Sequence, residues 1–242
     1  MSFERFSFCL LVLGLMLGCP DETQADKADG FVPIFDGRTL DHWRTEPATG
    51  PVAWTVKDGV IHGEGQEDRL AYLIYSGNED LKDFELKFSY RMVTKGNSGV
   101  EVRTRVDKTG KRPFEGYHAD IGHVGIGKGV LGAWDFHFGK GTRKELPCPR
   151  GTRLIIDEKG NGKPVEVEGA VTLKDIRKHD WNEGHIIAKG RHFVFKINGK
   201  LASEFTDNSK EGLLESGFIG LQLHDKGMVV QFKDVLLKTE GP

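Results

Sequence analysis

Apolar and polar positions alternate with a period of two through much of the chain after residue 30, most clearly along Phe84-Glu85-Leu86-Lys87-Phe88-Ser89-Tyr90-Arg91-Met92. Successive side chains of an extended strand point to opposite faces, so this run predicts a half-buried strand. Trp54-Thr55-Val56 and Val60-Ile61-His62 flank Lys57-Asp58-Gly59, where Asp58-Gly59 supplies the positive φ that a tight hairpin turn needs. Lys95-Gly96-Asn97 predicts a turn back into a strand over 97–104. A second series follows, with strands at His185 to Ala188, Phe193 to Ile197 and Leu201 to Phe205, the last two joined by Asn198-Gly199. Phe218 to His224 and Met228 to Leu237 close the chain with two more strands. A period of 3.6 is almost absent, and Asn208 to Leu214 predicts one short helical turn. Many short strands separated by glycine-containing turns predict an all-β sandwich of antiparallel strands whose inner faces bury the aromatic residues.

The first twenty residues follow a different pattern. Arg5 precedes the apolar run Phe8 to Leu17, too short for a comfortable membrane span, and the stretch reads as a secretory signal over 1–18. It ends in Met16-Leu17-Gly18-Cys19, which resembles a bacterial lipobox and predicts lipidation of Cys19; cleavage near Gly18 without a lipid is the alternative. Either way the protein is expected to be exported to the cell envelope, as a lipoprotein or in secreted form. Residues 19–30 are polar, without apolar period, and read as a flexible tether. From 31 to 239 the character is uniform and predicts one domain.

Composition narrows the function classes. The 242 residues carry 34 basic and 36 acidic side chains, a net charge of −2, and these are interspersed, so no basic field points to nucleic acid. Of three cysteines, Cys9 falls in the signal, leaving Cys19 and Cys148 and no disulfide framework.

Chemistry gathers in Asn97-Ser98-Gly99-Val100-Glu101-Val102-Arg103 and Gly116-Tyr117-His118-Ala119-Asp120-Ile121-Gly122. Strand alternation puts Glu101 and Arg103 on one face of the first stretch and His118 and Asp120 on one face of the second. Acid, guanidinium and imidazole together suggest a polar binding surface, against the plainer reading of a solvated strand face.

Phe35-Asp36-Gly37-Arg38-Thr39-Leu40-Asp41-His42-Trp43, Trp54 to Ile61, Asp83 to Leu86, Asn97 to Val100 with Arg103, Gly116-Tyr117, Trp181-Asn182-Glu183, Asn198-Gly199 and Gly220-Leu221-Gln222-Leu223-His224 together resemble the 3-keto-disaccharide hydrolase domain family over residues 31 to 238. The resemblance implies a concanavalin A-like β-sandwich, or jelly roll, and an exported enzyme acting on glycosides oxidised at C3. A C3 ketone acidifies the C2 hydrogen, so a base, an oxyanion stabiliser and an acid for the leaving group suffice. Ordinary glycosidases instead use paired carboxylates and an oxocarbenium-like transition state.

On this resemblance Arg103 matches the family's arginine after Asn-Ser-Gly and is assigned to the oxyanion. His118 departs from the Glu or Gln usual at its position; with a pKa of about 6.5 it is a plausible base, alone or with Asp120. His224 matches the family's Gln-x-His and is assigned as acid or sugar contact. Glu101, Tyr117, Trp134, Asp135 and Gln222 are the expected substrate contacts, with Trp134 stacking on a sugar ring. No cofactor is required by this chemistry, but His118, Asp120, Asp135 and His137, with His123, offer N and O ligands to a divalent metal ion. A carbohydrate-binding module without catalysis is the competing class, and a protein-binding surface domain the third.

Overall fold

The computed structural model describes residues 29–49, 52–66 and 70–239. The signal, Cys19 and most of the tether lie outside the described residues. In chain order the strands are β1 (Val32–Pro33), β2 (Trp43–Glu46), β3 (Trp54–Lys57), β4 (Val60–Glu64), β5 (Ala71–Tyr75), β6 (Phe84–Met92), β7 (Ser98–Val106) and β8 (Phe114–Asp120). They continue as β9 (Trp134–His137), β10 (Thr152–Ile156), β11 (Pro164–Glu166), β12 (Asn182–Lys189), β13 (His192–Ile197), β14 (Lys200–Asp207), β15 (Phe218–Leu223) and β16 (Val229–Thr239).

Two sheets form. The larger runs β11-β10-β14-β13-β12-β6-β16-β4-β3 with β1 beside β16, and the smaller runs β2-β5-β15-β7-β8-β9. All pairings are antiparallel except β10 with β14. The alternation of β6 is realised residue by residue, with Phe84, Leu86, Phe88, Tyr90 and Met92 buried and the residues between them partly exposed. Val100, Val102, Tyr117, Trp134, Phe136 and Leu221 of the smaller sheet meet Leu86, Phe88, Phe193, Phe205 and Phe232 of the larger in one core. Both Asx-Gly hairpins form, with Asp58 and Asn198 in left-handed backbone at φ 52° and 50°.

Two local expectations are corrected. The turn at 95–97 does not fold β7 back onto β6; it carries the chain from the larger sheet to the smaller. The helical turn expected at 208–214 is irregular chain, while a 3-10 turn forms at Leu173–Asp175, where Asp175 Oδ2 accepts from the Thr172 N–H at 2.8 Å and from its hydroxyl at 2.7 Å. Glycine at 212, in left-handed backbone at φ 69°, disfavours helix there.

Candidate active site

The smaller sheet has one face in the core and one turned away from it. Because β7, β8 and β9 pair in register, Glu101 lies opposite His118 and His118 opposite Asp135, while Gly99 separates Gln222 from Asp120 in the next row. His118, Asp120, Asp135 and Gln222 line a cleft of about 230 Å³ together with Tyr72, Asn97, Arg112 and His137, and Glu101 lies buried beneath it. Residue 99 must lack a side chain, since a Cβ there would lie 2.0 Å from His118 Nε2.

At the floor of the cleft one carboxylate holds two imidazoles. Glu101 Oε1 is 3.0 Å from His118 Nδ1 and 3.2 Å from His137 Nδ1. The rings stack with centroids 4.8 Å apart and planes at 25°. Their outer nitrogens face separate aspartates, His118 Nε2 to Asp120 Oδ1 at 3.4 Å and His137 Nε2 to Asp135 Oδ2 at 3.5 Å. Glu101 is fully buried and His118 is 2% exposed, so the inner half of this chain is shielded from water.

The environment shifts these groups strongly. Burial alone would raise the Glu101 carboxyl, but the two imidazoles outweigh it and hold the group well below the usual carboxylate range. Burial likewise opposes charge on His118 and His137, yet Glu101 with Asp120 or Asp135 raises both. Asp120 is pushed up, chiefly by desolvation. Asp135, hydrogen-bonded to His137, is pushed down to about 2.

The structure thus brings together Glu101, His118, Asp120, Asp135, His137 and Gln222. His224 sits at the rim, half-exposed, with Nδ1 2.8 Å from Asp225 Oδ1. Three expected contacts lie elsewhere. Arg103 is 1% exposed and points away from the cleft, donating to Lys82 O at 2.8 Å, Gly190 O at 2.7 Å and Asp83 Oδ1 at 2.9 Å. The cause is a bulge in β7 between Val102 and Arg105, where Arg103 takes φ 46° and the face is inverted. Trp134, 1% exposed, faces the core against Phe193, Phe195 and Phe205, its indole N–H donating to Ser203 O. Tyr117 is buried in the same core, its hydroxyl donating to Asp207 Oδ2 at 2.7 Å. His123 turns to the Gly96 N–H at 3.0 Å and takes no part in the cluster. Arg112 and Tyr72 were not anticipated: Arg112 comes from the loop before β8 and Tyr72 from a strand distant in sequence, so neither shares a local motif with the acid–imidazole stretch.

Fold and site define a two-sheet all-β protein of the concanavalin A- and galectin-like class with an acid–imidazole cluster on the outer face of its smaller sheet. The chain belongs to the 3-keto-alpha-glucoside-1,2-lyase-like domain family, whose model matches residues 30–238. It is similar to the 3-keto-disaccharide hydrolase of Bacteroides thetaiotaomicron, 34% identical over 99 residues that make up 36% of this chain and 33% of that protein, so the match spans about a third of the relative's length. A Parabacteroides distasonis protein to which glycosyl hydrolase activity is ascribed superposes with a TM-score of 0.60 at 19% identity, over 90% of this chain and 97% of the other. A Bacillus subtilis protein with a galectin-like fold superposes with a TM-score of 0.50 at 13% identity, over 86% and 94% of the two chains. These two likenesses establish the fold.

Proposed function

We propose that this domain cleaves glycosides whose sugar ring carries a ketone at C3. The observation that carries this reading is the pairing of Asp120 with His118 over a buried Glu101 in a polar cleft. Asp120 removes the C2 proton, and the electron pair of the C–H bond passes to the C3 oxygen as an enolate. When the carbonyl re-forms, a C1–C2 double bond is made, the C1–oxygen bond breaks and the departing oxygen takes a proton. Water then adds at C1 and a proton returns to C2, giving net hydrolysis.

Support comes from the family match and from the B. thetaiotaomicron relative. The His118 N–H facing Asp120 orients the carboxylate, and Arg112, a guanidinium lining the cleft, takes the oxyanion role that sequence gave to Arg103. His224 at the rim is placed for the leaving group or its sugar. We also infer export, with a lipid on Cys19 tethering the domain at the envelope.

Incubating the protein with a 3-keto-disaccharide and with its unoxidised parent tests this. Cleavage of the keto sugar alone, reduced at least about a hundredfold in folded Asp120→Ala, is expected. Equal cleavage of both sugars would sink the reading, and saturable binding without cleavage would return a carbohydrate-binding module.

A further inference from the structure

The cluster beneath the cleft leaves a hydrogen-bonding conflict that its side chains do not resolve. Each ring is held between two acceptors, Nδ1 against Glu101 Oε1 and Nε2 against Asp120 or Asp135. A neutral imidazole has one N–H and one lone pair, so in each ring one nitrogen turns a lone pair toward a carboxylate oxygen. One divalent ion at the inner position takes the Nδ1 lone pair of both rings and leaves each Nε2–H to an aspartate, which removes the conflict.

The inner position suits an ion. Glu101, His118 and His137 each offer a ligand atom there, all within 4.8 Å of one another. Tetrahedral ligands at about 2.1 Å from a metal stand about 3.4 Å apart, against 3.0 and 3.2 Å from the Glu101 oxygen to the two nitrogens. Aspartates at the outer nitrogens then accept the Nε2 protons, the arrangement that fixes ring tautomer and orientation in metal–histidine sites. An independent pointer is Gln222, 2% exposed and lining the same cleft. Its Nε2 lies 3.5 Å from Glu101 Oε1, and its Oε1 is buried with no hydrogen-bond partner among the described residues. An unsatisfied buried carbonyl oxygen is costly, and a cation or its bound water satisfies it.

We propose that Glu101, His118 and His137 bind one divalent ion, with Gln222 beside Glu101. Two imidazoles and one carboxylate select a first-row transition ion such as Zn²⁺, Mn²⁺ or Co²⁺ over Ca²⁺ or Mg²⁺. The site stands on the geometry of the cluster. Its use, holding the His118 ring that faces Asp120, rests on the function proposed above.

The test is titration of the full chain in detergent, stripped with chelator and dialysed, using Co²⁺ as probe and Zn²⁺ as competitor. One equivalent of Co²⁺ per chain with visible ligand-field absorption, displaced by Zn²⁺, is expected. Glu101→Gln and His137→Gln, which keep side-chain volume, should each weaken binding at least about tenfold. His185→Ala, which removes a His–Glu pair of 2.9 Å on the larger sheet, should leave it unchanged. Thermal unfolding of each stripped protein establishes that it is folded. Less than a tenth of an equivalent bound by folded wild type, or undiminished binding in both cluster variants, overturns the proposal. A protein that binds one ion yet cleaves no keto sugar keeps the site and sinks the functional reading, and one that cleaves while binding no ion does the reverse.

Discussion

Gly99 shows how a single missing side chain shapes the cluster. A methyl group there would occupy the space of His118 Nε2, so Gly99→Ala is expected to push the ring off Asp120. Displacement of a catalytic pair by about 1 Å costs on the order of a hundredfold in rate. The check is kcat of the variant beside its thermal midpoint, since a drop in rate without a large fall in midpoint places the effect at the site. A second residue-scale case lies under β8, where Asp207, fully buried, accepts from Tyr117 and pairs with Arg143 at 2.7 Å. Burial opposes its charge, but Ser209, Tyr117 and Arg143 together hold it below the usual carboxylate range. A depressed folded pKa stabilises the protein above the unfolded value of about 3.9, and that contribution is lost as pH falls through the folded pKa. Arg143→Met, leaving the carboxylate buried and unpaired, should cost about 3–5 kcal/mol at neutral pH. Denaturant unfolding at neutral and acid pH should show this penalty shrinking as Asp207 protonates.

At the scale of the strand, the bulge in β7 separates what sequence joined. Alternation predicts Glu101 and Arg103 on one face, and the register shift between Val102 and Arg105 sends Arg103 to the opposite side, where it bonds three backbone carbonyls and Asp83. Arg103→Gln is therefore expected to lower stability by about 1–3 kcal/mol, the cost of buried acceptors left without donors. Its effect on kcat should be small beside that of Asp120→Ala, and equal loss of activity in folded protein would return Arg103 to the site. Much of the strand pattern was legible because period-two burial and Asx-Gly turns are local signals: β6, β3 with β4, and β13 with β14 all follow them. Meetings set by pairing were harder to read. His118 and His137 stack because β8 pairs with β9 across a thirteen-residue connection, 121 to 133, and Trp134 faces inward because the same register turns Asp135 and His137 outward. A bulge of one residue leaves no mark in the alternation of a strand in which Glu101, Arg103 and Thr104 are all buried.

At the scale of the molecule, the two packed sheets with one short 3-10 turn among the described residues predict a far-UV circular dichroism spectrum dominated by β-structure, and a helix content near the globular average of about a third would contradict the architecture. The lipid anchor proposed above predicts diacylglycerol on Cys19 in the native host, read by mass spectrometry of the mature N-terminus. The sandwich serves as a rigid frame: the core side of β7, β8 and β9 packs against the larger sheet and fixes the register that lines up Glu101, His118 and Asp135 on the other side. The central claim, that this register assembles a site for proton abstraction beside a ketone, is tested most directly by cleavage of a 3-keto-disaccharide in deuterated water, with an enzyme-free control for background exchange. The account predicts that the released keto sugar carries solvent deuterium at C2 and that Asp120→Ala, folded, neither cleaves nor exchanges. Product that retains its original C2 hydrogen throughout would contradict it.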